Sequence, residues 1–87
     1  MPVSKFESML KTNSVYFFDA TEFEYIIEHY LNIGKHSLAK KAVKLGLEQH
    51  PTSIQLKLMQ VELLIFDGEL PSAIQLLGEI EAVEPHN

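Results

Sequence analysis

The stretch Glu28-His29-Tyr30-Leu31-Asn32-Ile33-Gly34-Lys35-His36-Ser37-Leu38-Ala39 has a counterpart 34 residues on, Glu62-Leu63-Leu64-Ile65-Phe66-Asp67-Gly68-Glu69-Leu70-Pro71-Ser72-Ala73. Glu28 and Glu62, Gly34 and Gly68, and Ala39 and Ala73 share that offset, and so do Pro51 and Pro85. Each type has a mechanical task. Glycine accepts the positive φ of a tight helix-to-helix turn. Small alanine lets two helices approach closely. Proline cannot continue a helix and closes the unit. The shared offset predicts two copies of one helix–turn–helix unit.

The apolar spacing agrees. Phe23, Ile26, Ile27, Tyr30 and Leu31 recur at helical steps and predict an amphipathic helix. Asp19-Ala20-Thr21-Glu22 opens it with capping-box spacing, and Gly34 closes it. A second helix is expected from about Ser37 to His50. Its buried stripe is Leu38, Ala39, Ala42, Val43, Gly46 and Leu47, with Lys40, Lys41 and Lys44 opposite. Ser53 is placed to cap a third helix bearing Leu56, Leu58, Val61, Leu64, Ile65 and Phe66. Pro71 suits the first position of a fourth. That helix carries Ala73, Ile74, Leu76, Leu77, Ile80 and Val83 and ends at Pro85. Ahead of these, Phe6, Met9 and Leu10 predict a short leading helix with Ser4 as N-cap. Thr12-Asn13-Ser14 breaks it, and Val15-Tyr16-Phe17-Phe18 reads as an extended segment tucked against the helices. No stretch alternates with period two, so no sheet is expected and the fold class is all-α.

Composition narrows the function. The chain has 87 residues, 46% hydrophobic and 22% charged, as expected of an ordinary globular domain. No apolar run exceeds four residues, against about 20 for a spanning helix, so no membrane role is expected. Twelve acids face seven lysines and no arginine, a net charge of −5. Duplex binding draws its affinity from basic side chains on phosphates, so nucleic acid is not expected as a partner. There is no cysteine, which excludes disulfides and thiolate chemistry. No basic, apolar leader opens the chain, so a cytoplasmic location is expected.

A 34-residue helix–turn–helix period resembles the tetratricopeptide repeat (TPR). The resemblance covers residues 20–53 as a first unit and 54–87 as a second, after a capping segment over 1–19. Phe23 near the start of the first unit and Tyr30 one turn before Gly34 also fit. Three positions depart. Where the family favours an aromatic two residues after the turn glycine, this chain has His36 and Leu70. Late in the second helix the first unit keeps the small Gly46, but the second has Ile80. The small residue inside the first helix is Ile27, then Val61.

The resemblance implies a right-handed α-solenoid fragment, used as a binding scaffold without catalysis. The first helix of each unit would line an inner groove. Carried over by position, the lining is Thr21, Glu24, Glu28, Leu31 and Asn32, then Gln55, Leu58, Glu62, Ile65 and Phe66. Some family members clamp a peptide carboxylate with Lys and Asn where this chain has Glu24 and Glu28. A basic or apolar peptide or helix is therefore the expected partner. The expected protein-binding residues are Glu24, Glu28, Leu58, Glu62, Ile65 and Phe66. The alternative is that the acids form a solvated face and the apolar residues pack on a neighbour.

Nothing in the pattern calls for catalysis or a cofactor. His29, His36, His50 and His86 show no metal-ligand spacing. Glu28 and His29, adjacent on a helix, point about 100° apart and are not expected to share a site. No glycine-rich phosphate loop and no nucleophile with a base are present. Residues 35–57 carry a net +4 from five lysines and Glu48, expected as a solvated outer wall.

Solenoid units bury their faces only against neighbours, and about three are usually needed. Residues 4–18 are expected to cover the first hairpin with Phe6, Met9, Leu10, Tyr16, Phe17 and Phe18. At the other end Ile74, Leu77, Gly78 and Ile80 are expected to form an uncovered apolar surface. The chain is expected to be a piece of a longer protein that also pairs as a homodimer, with Ile74, Leu77 and Ile80 in the contact.

Overall fold

The computed structural model describes residues 2–12 and 14–83, with the backbone alone for Val83. Five helices follow in order: α1 Pro2–Thr12, α2 Ala20–Asn32, α3 His36–Gln49, α4 Ile54–Phe66 and α5 Leu70–Val83. No strand occurs among the described residues. The chain is all-α. The expected stop at Pro85, the end of the second unit at Asn87 and the breaker Asn13 lie outside the described residues, as do His86 and the side chain of Val83.

The two turns are built alike, bond for bond. Gly34 has φ 74° and Gly68 has φ 78°, a backbone region that disfavours a Cβ. Gly34 N–H donates to Leu31 O at 3.2 Å and Lys35 N–H to Tyr30 O at 2.8 Å. Thirty-four residues later Gly68 N–H donates to Ile65 O at 3.0 Å and Glu69 N–H to Leu64 O at 2.8 Å. Both sets are Schellman motifs, which satisfy carbonyls left over at a helix end. The next helices start alike too, with Ala39 N–H on Lys35 O and Ala73 N–H on Glu69 O. The sequence offset is thus an offset of backbone hydrogen bonds. Turns this short make α2 and α3 one hairpin, and α4 and α5 another.

The helix starts follow the side chains that precede them. Asp19 N–H donates to Glu22 Oε1 at 2.9 Å, the back-reaching half of a capping box. Ser53 Oγ accepts from Leu56 N–H at 3.2 Å. The expected cap at Ser4 is wrong: α1 already begins at Pro2, and Ser4 lies inside it. Proline fixes a helical φ and lacks only an N–H that the first turn leaves unpaired.

The packing partners are α1 on α2, α2 on α3, α3 on α4, α2 on α4 and α4 on α5. One cluster joins Phe6 and Met9 of α1, Phe18, the α2 stripe Phe23, Ile26, Ile27 and Tyr30, Ala39, Ala42 and Val43 of α3, and Leu56, Met59 and Leu63 of α4. Each large side chain fully removed from water there contributes roughly 1.5–3 kcal/mol. A smaller cluster holds Val61, Ala73 and Ile80 between α4 and α5.

Gly46 explains how α3 fits between two neighbours. A Cβ on it would lie 3.1 Å from Phe23 Cγ and 3.2 Å from Leu56 Cδ1. A methyl there would have to push Phe23 or Leu56 back, so the missing side chain lets α2 and α4 close on α3 from both sides.

Other expectations are corrected. Met59 and Leu63, absent from the apolar set expected for α4, are buried, whereas Ile65 and Phe66, expected to be offered to a partner, are exposed. α4 touches α2, α3 and α5, so its apolar residues are needed on several sides and its stripe is not a simple one. Phe17, expected to cover the hairpin, points outward, because an extended chain sends alternate side chains to opposite sides and Phe18 takes the inward place. Ile80, expected in the uncovered surface, is only 7% exposed and packs with Val61 and Ala73. No helix is long and apolar enough to cross a membrane among the described residues.

Candidate protein-interaction surfaces

The expected binding residues fall into three situations. Glu28 borders a shallow pocket of about 220 Å³ with Tyr25, His29 and Asn32. Glu62, Ile65 and Phe66 stand exposed, at i, i+3 and i+4 along one ridge of α4. Glu24 is half-buried, and Leu58 is half-buried against the Val61 cluster, so neither is fully offered to a partner.

Glu28 and His29 border the same pocket, but no hydrogen bond or ion pair joins their side chains among the described residues. Tyr25, Glu28, His29 and Asn32 fall at i, i+3, i+4 and i+7, which puts all four along one side of α2. That spacing makes Tyr25 and His29 legible as the pocket's lining. His36 stands two residues after the turn glycine Gly34. It lies flat on Phe66, ring centroids 4.0 Å apart and planes 9° apart. Phe66 therefore has one face supported from within and remains 66% exposed.

A larger groove, of about 640 Å³, lies on another side of the first hairpin. Leu10, Val15, Phe17, Lys41, Leu45 and Glu48 are among its lining residues. The extended segment at its rim is held from inside by the end of α3. Gln49 Nε2 donates to Tyr16 O at 2.7 Å, and Phe18 N–H donates to Gln49 Oε1 at 3.0 Å. His50 Nε2 lies 2.6 Å from Phe18 O, and its ring meets Phe23 edge-on. The side-chain amide of Gln49 thus acts as a short strand partner for residues 16–18. His50 is part of this clamp.

Charge is segregated. Lys40 pairs with Asp67 at 2.5 Å. Lys41 and Lys44 are exposed and form no ion pair among the described residues. Lys5 sits over the rings of Tyr16 and Phe18, 5.8 and 5.3 Å from their centroids.

Between α1 and α2, Tyr30 OH donates to Glu7 Oε2 at 3.0 Å. Burial first, then that hydrogen bond and the charge of Glu7, push the phenol up to about 12. The pair ties α1 to α2. Among the described residues no group of three or more His, Asp or Glu could hold a metal ion. No protein-family model, curated protein or solved structure matches the chain.

Proposed function

We propose that the chain is a non-catalytic protein-interaction scaffold of the tetratricopeptide type. It would hold a basic or apolar segment of a partner on the side formed by α2 and α4. The carrying observation is that Glu62, Ile65 and Phe66 are exposed along one ridge of α4. Two bulky apolar side chains beside an acid supply contact area and a sign of charge together. Glu28 and Tyr25 on α2 offer the same chemistry at the shallow pocket. The repeated Schellman turns support the TPR reading, since they make the 34-residue period a property of the backbone.

The test is calorimetric titration with a panel of short basic and apolar peptides. Binding should weaken roughly tenfold on Glu28→Lys or Ile65→Asp, with the melting temperature little changed because both residues are exposed. Equal affinity for wild type and both variants would refute the proposed surface.

A second reading, self-association, is favoured by a separate observation. Leu70, Ile74 and Leu77 are exposed at i, i+4 and i+7 along α5, whose one packing partner among the described helices is α4. Ile80 drops out of that contact. Sedimentation should show a dimer that Leu77→Asp dissolves; a monomer at every concentration would exclude this reading.

A further inference from the structure

We propose that the groove between α1, residues 14–18 and α3 is a second docking surface, taking an acidic, apolar-bearing partner segment in extended conformation. It is distinct from the α2–α4 side and does not depend on it.

Three observations converge. First, Val15 and Phe17 are 74% and 75% exposed, while Tyr16 and Phe18 between and beyond them turn inward. Exposed apolar side chains of this size, next to Leu10 and Leu45 in the same groove, make a ready apolar contact.

Second, the backbone has one used edge and one free edge. Tyr16 and Phe18 spend their N–H and C=O groups on Met9, Gln49 and His50. No hydrogen bond among the described residues engages the backbone of Val15 or Phe17. In an extended chain successive residues direct these groups to opposite edges, so the edge bearing Val15 and Phe17 has no hydrogen-bonded partner among the described residues and can take another strand.

Third, the charge nearby selects the partner. Lys41 lines the groove, and Lys44 with Lys41 lines its continuation along α3 past Leu45. Neither is neutralised within the described residues. Glu48 is the one acid at the rim. The chain as a whole is acidic, so this is the side where a negative partner is attracted rather than repelled.

The experiment pans a displayed library of random short peptides against the full chain, then maps the enriched peptides by amide chemical shifts. Enriched sequences should combine Asp or Glu with bulky apolar residues. Shifts should centre on residues 14–18 and 41–48, and the Phe17 amide should gain exchange protection. Lys41→Glu with Lys44→Glu, and separately Phe17→Ser, should each weaken binding roughly tenfold and leave the melting temperature unchanged. Finding no binder at this groove, or only basic binders mapping to α2 and α4, overturns the proposal. So does concentration-dependent line broadening at residues 14–18 without peptide, which would assign the groove to a second copy of the chain.

Discussion

His36 lies parallel to Phe66 at 4.0 Å, so the residue that opens α3 is stacked on the residue that closes α4. The contact joins the turn end of one hairpin to the turn end of the other. It gives His36 an aromatic's task two residues after the turn glycine Gly34. Replacing either ring by alanine should lower stability by about 0.5–1.5 kcal/mol. In a double-mutant cycle measured by urea unfolding, the two losses should sum to more than the loss of the double variant. Strict additivity would mean that the stack contributes nothing.

Gly46→Ala and Gly34→Ala should both destabilise, for different reasons. At Gly46 the new methyl gains about 1 kcal/mol of helix propensity but presses on Phe23 and Leu56 at 3.1–3.2 Å. Overpacking of this kind costs roughly 1–3 kcal/mol, so the net effect is a loss of up to about 2 kcal/mol. At Gly34 there is open space, and the cost is the positive φ alone, roughly 1–2 kcal/mol. Leu56→Val, which removes the crowding side chain's end, should soften the first loss and leave the second untouched in thermal melts.

Gln49→Ala should loosen the leading segment without unfolding the hairpins. It removes the partner of Tyr16 O and of Phe18 N–H, at a cost of roughly 1–3 kcal/mol for partly buried groups. Hydrogen exchange at the Phe18 amide should accelerate while amides in the middle of α2 stay protected. Unchanged exchange at Phe18 would show that the core contact of its ring holds the segment alone.

How far the sequence could be read depended on how many neighbours each helix has. α2 and α3 present one dominant buried stripe each, and Phe23, Ile26, Ile27, Tyr30, Ala39, Ala42, Val43 and Gly46 fall where periodicity puts them. The turns were legible because Gly34 and Gly68 have a steric reason to be glycine. α4 was read less well. It is apolar around most of its circumference, so periodicity could not separate buried Met59 and Leu63 from exposed Ile65 and Phe66. The apolar run of residues 15–18 gave no sign of which members turn inward, since Val, Tyr, Phe and Phe are all bulky. The pairing of Gln49 with that run crosses more than thirty residues and has no sequence signature.

Burial of Tyr30, together with its hydrogen bond to Glu7, makes stability depend on pH at the alkaline end. A phenol ordinarily ionises near 10, and in the folded chain it is held at about 12. Between those values the unfolded chain has released the proton and the folded chain has kept it. The folded state then binds more protons, so stability falls as pH rises. The contribution is whole below about pH 10 and lost progressively toward pH 12, on the order of 2–3 kcal/mol in all. Tyr30→Phe removes this titration. At neutral pH it should cost only about 0.5–1.5 kcal/mol, because Glu7 is exposed and recovers water when its donor goes. Urea midpoints taken across the alkaline range should therefore decline less steeply for the variant than for wild type. Phenolate absorbance gives the independent check, since one tyrosine should ionise together with unfolding rather than before it. Identical alkaline declines in the two proteins would show that Tyr30 ionises in the folded chain as easily as in the unfolded one.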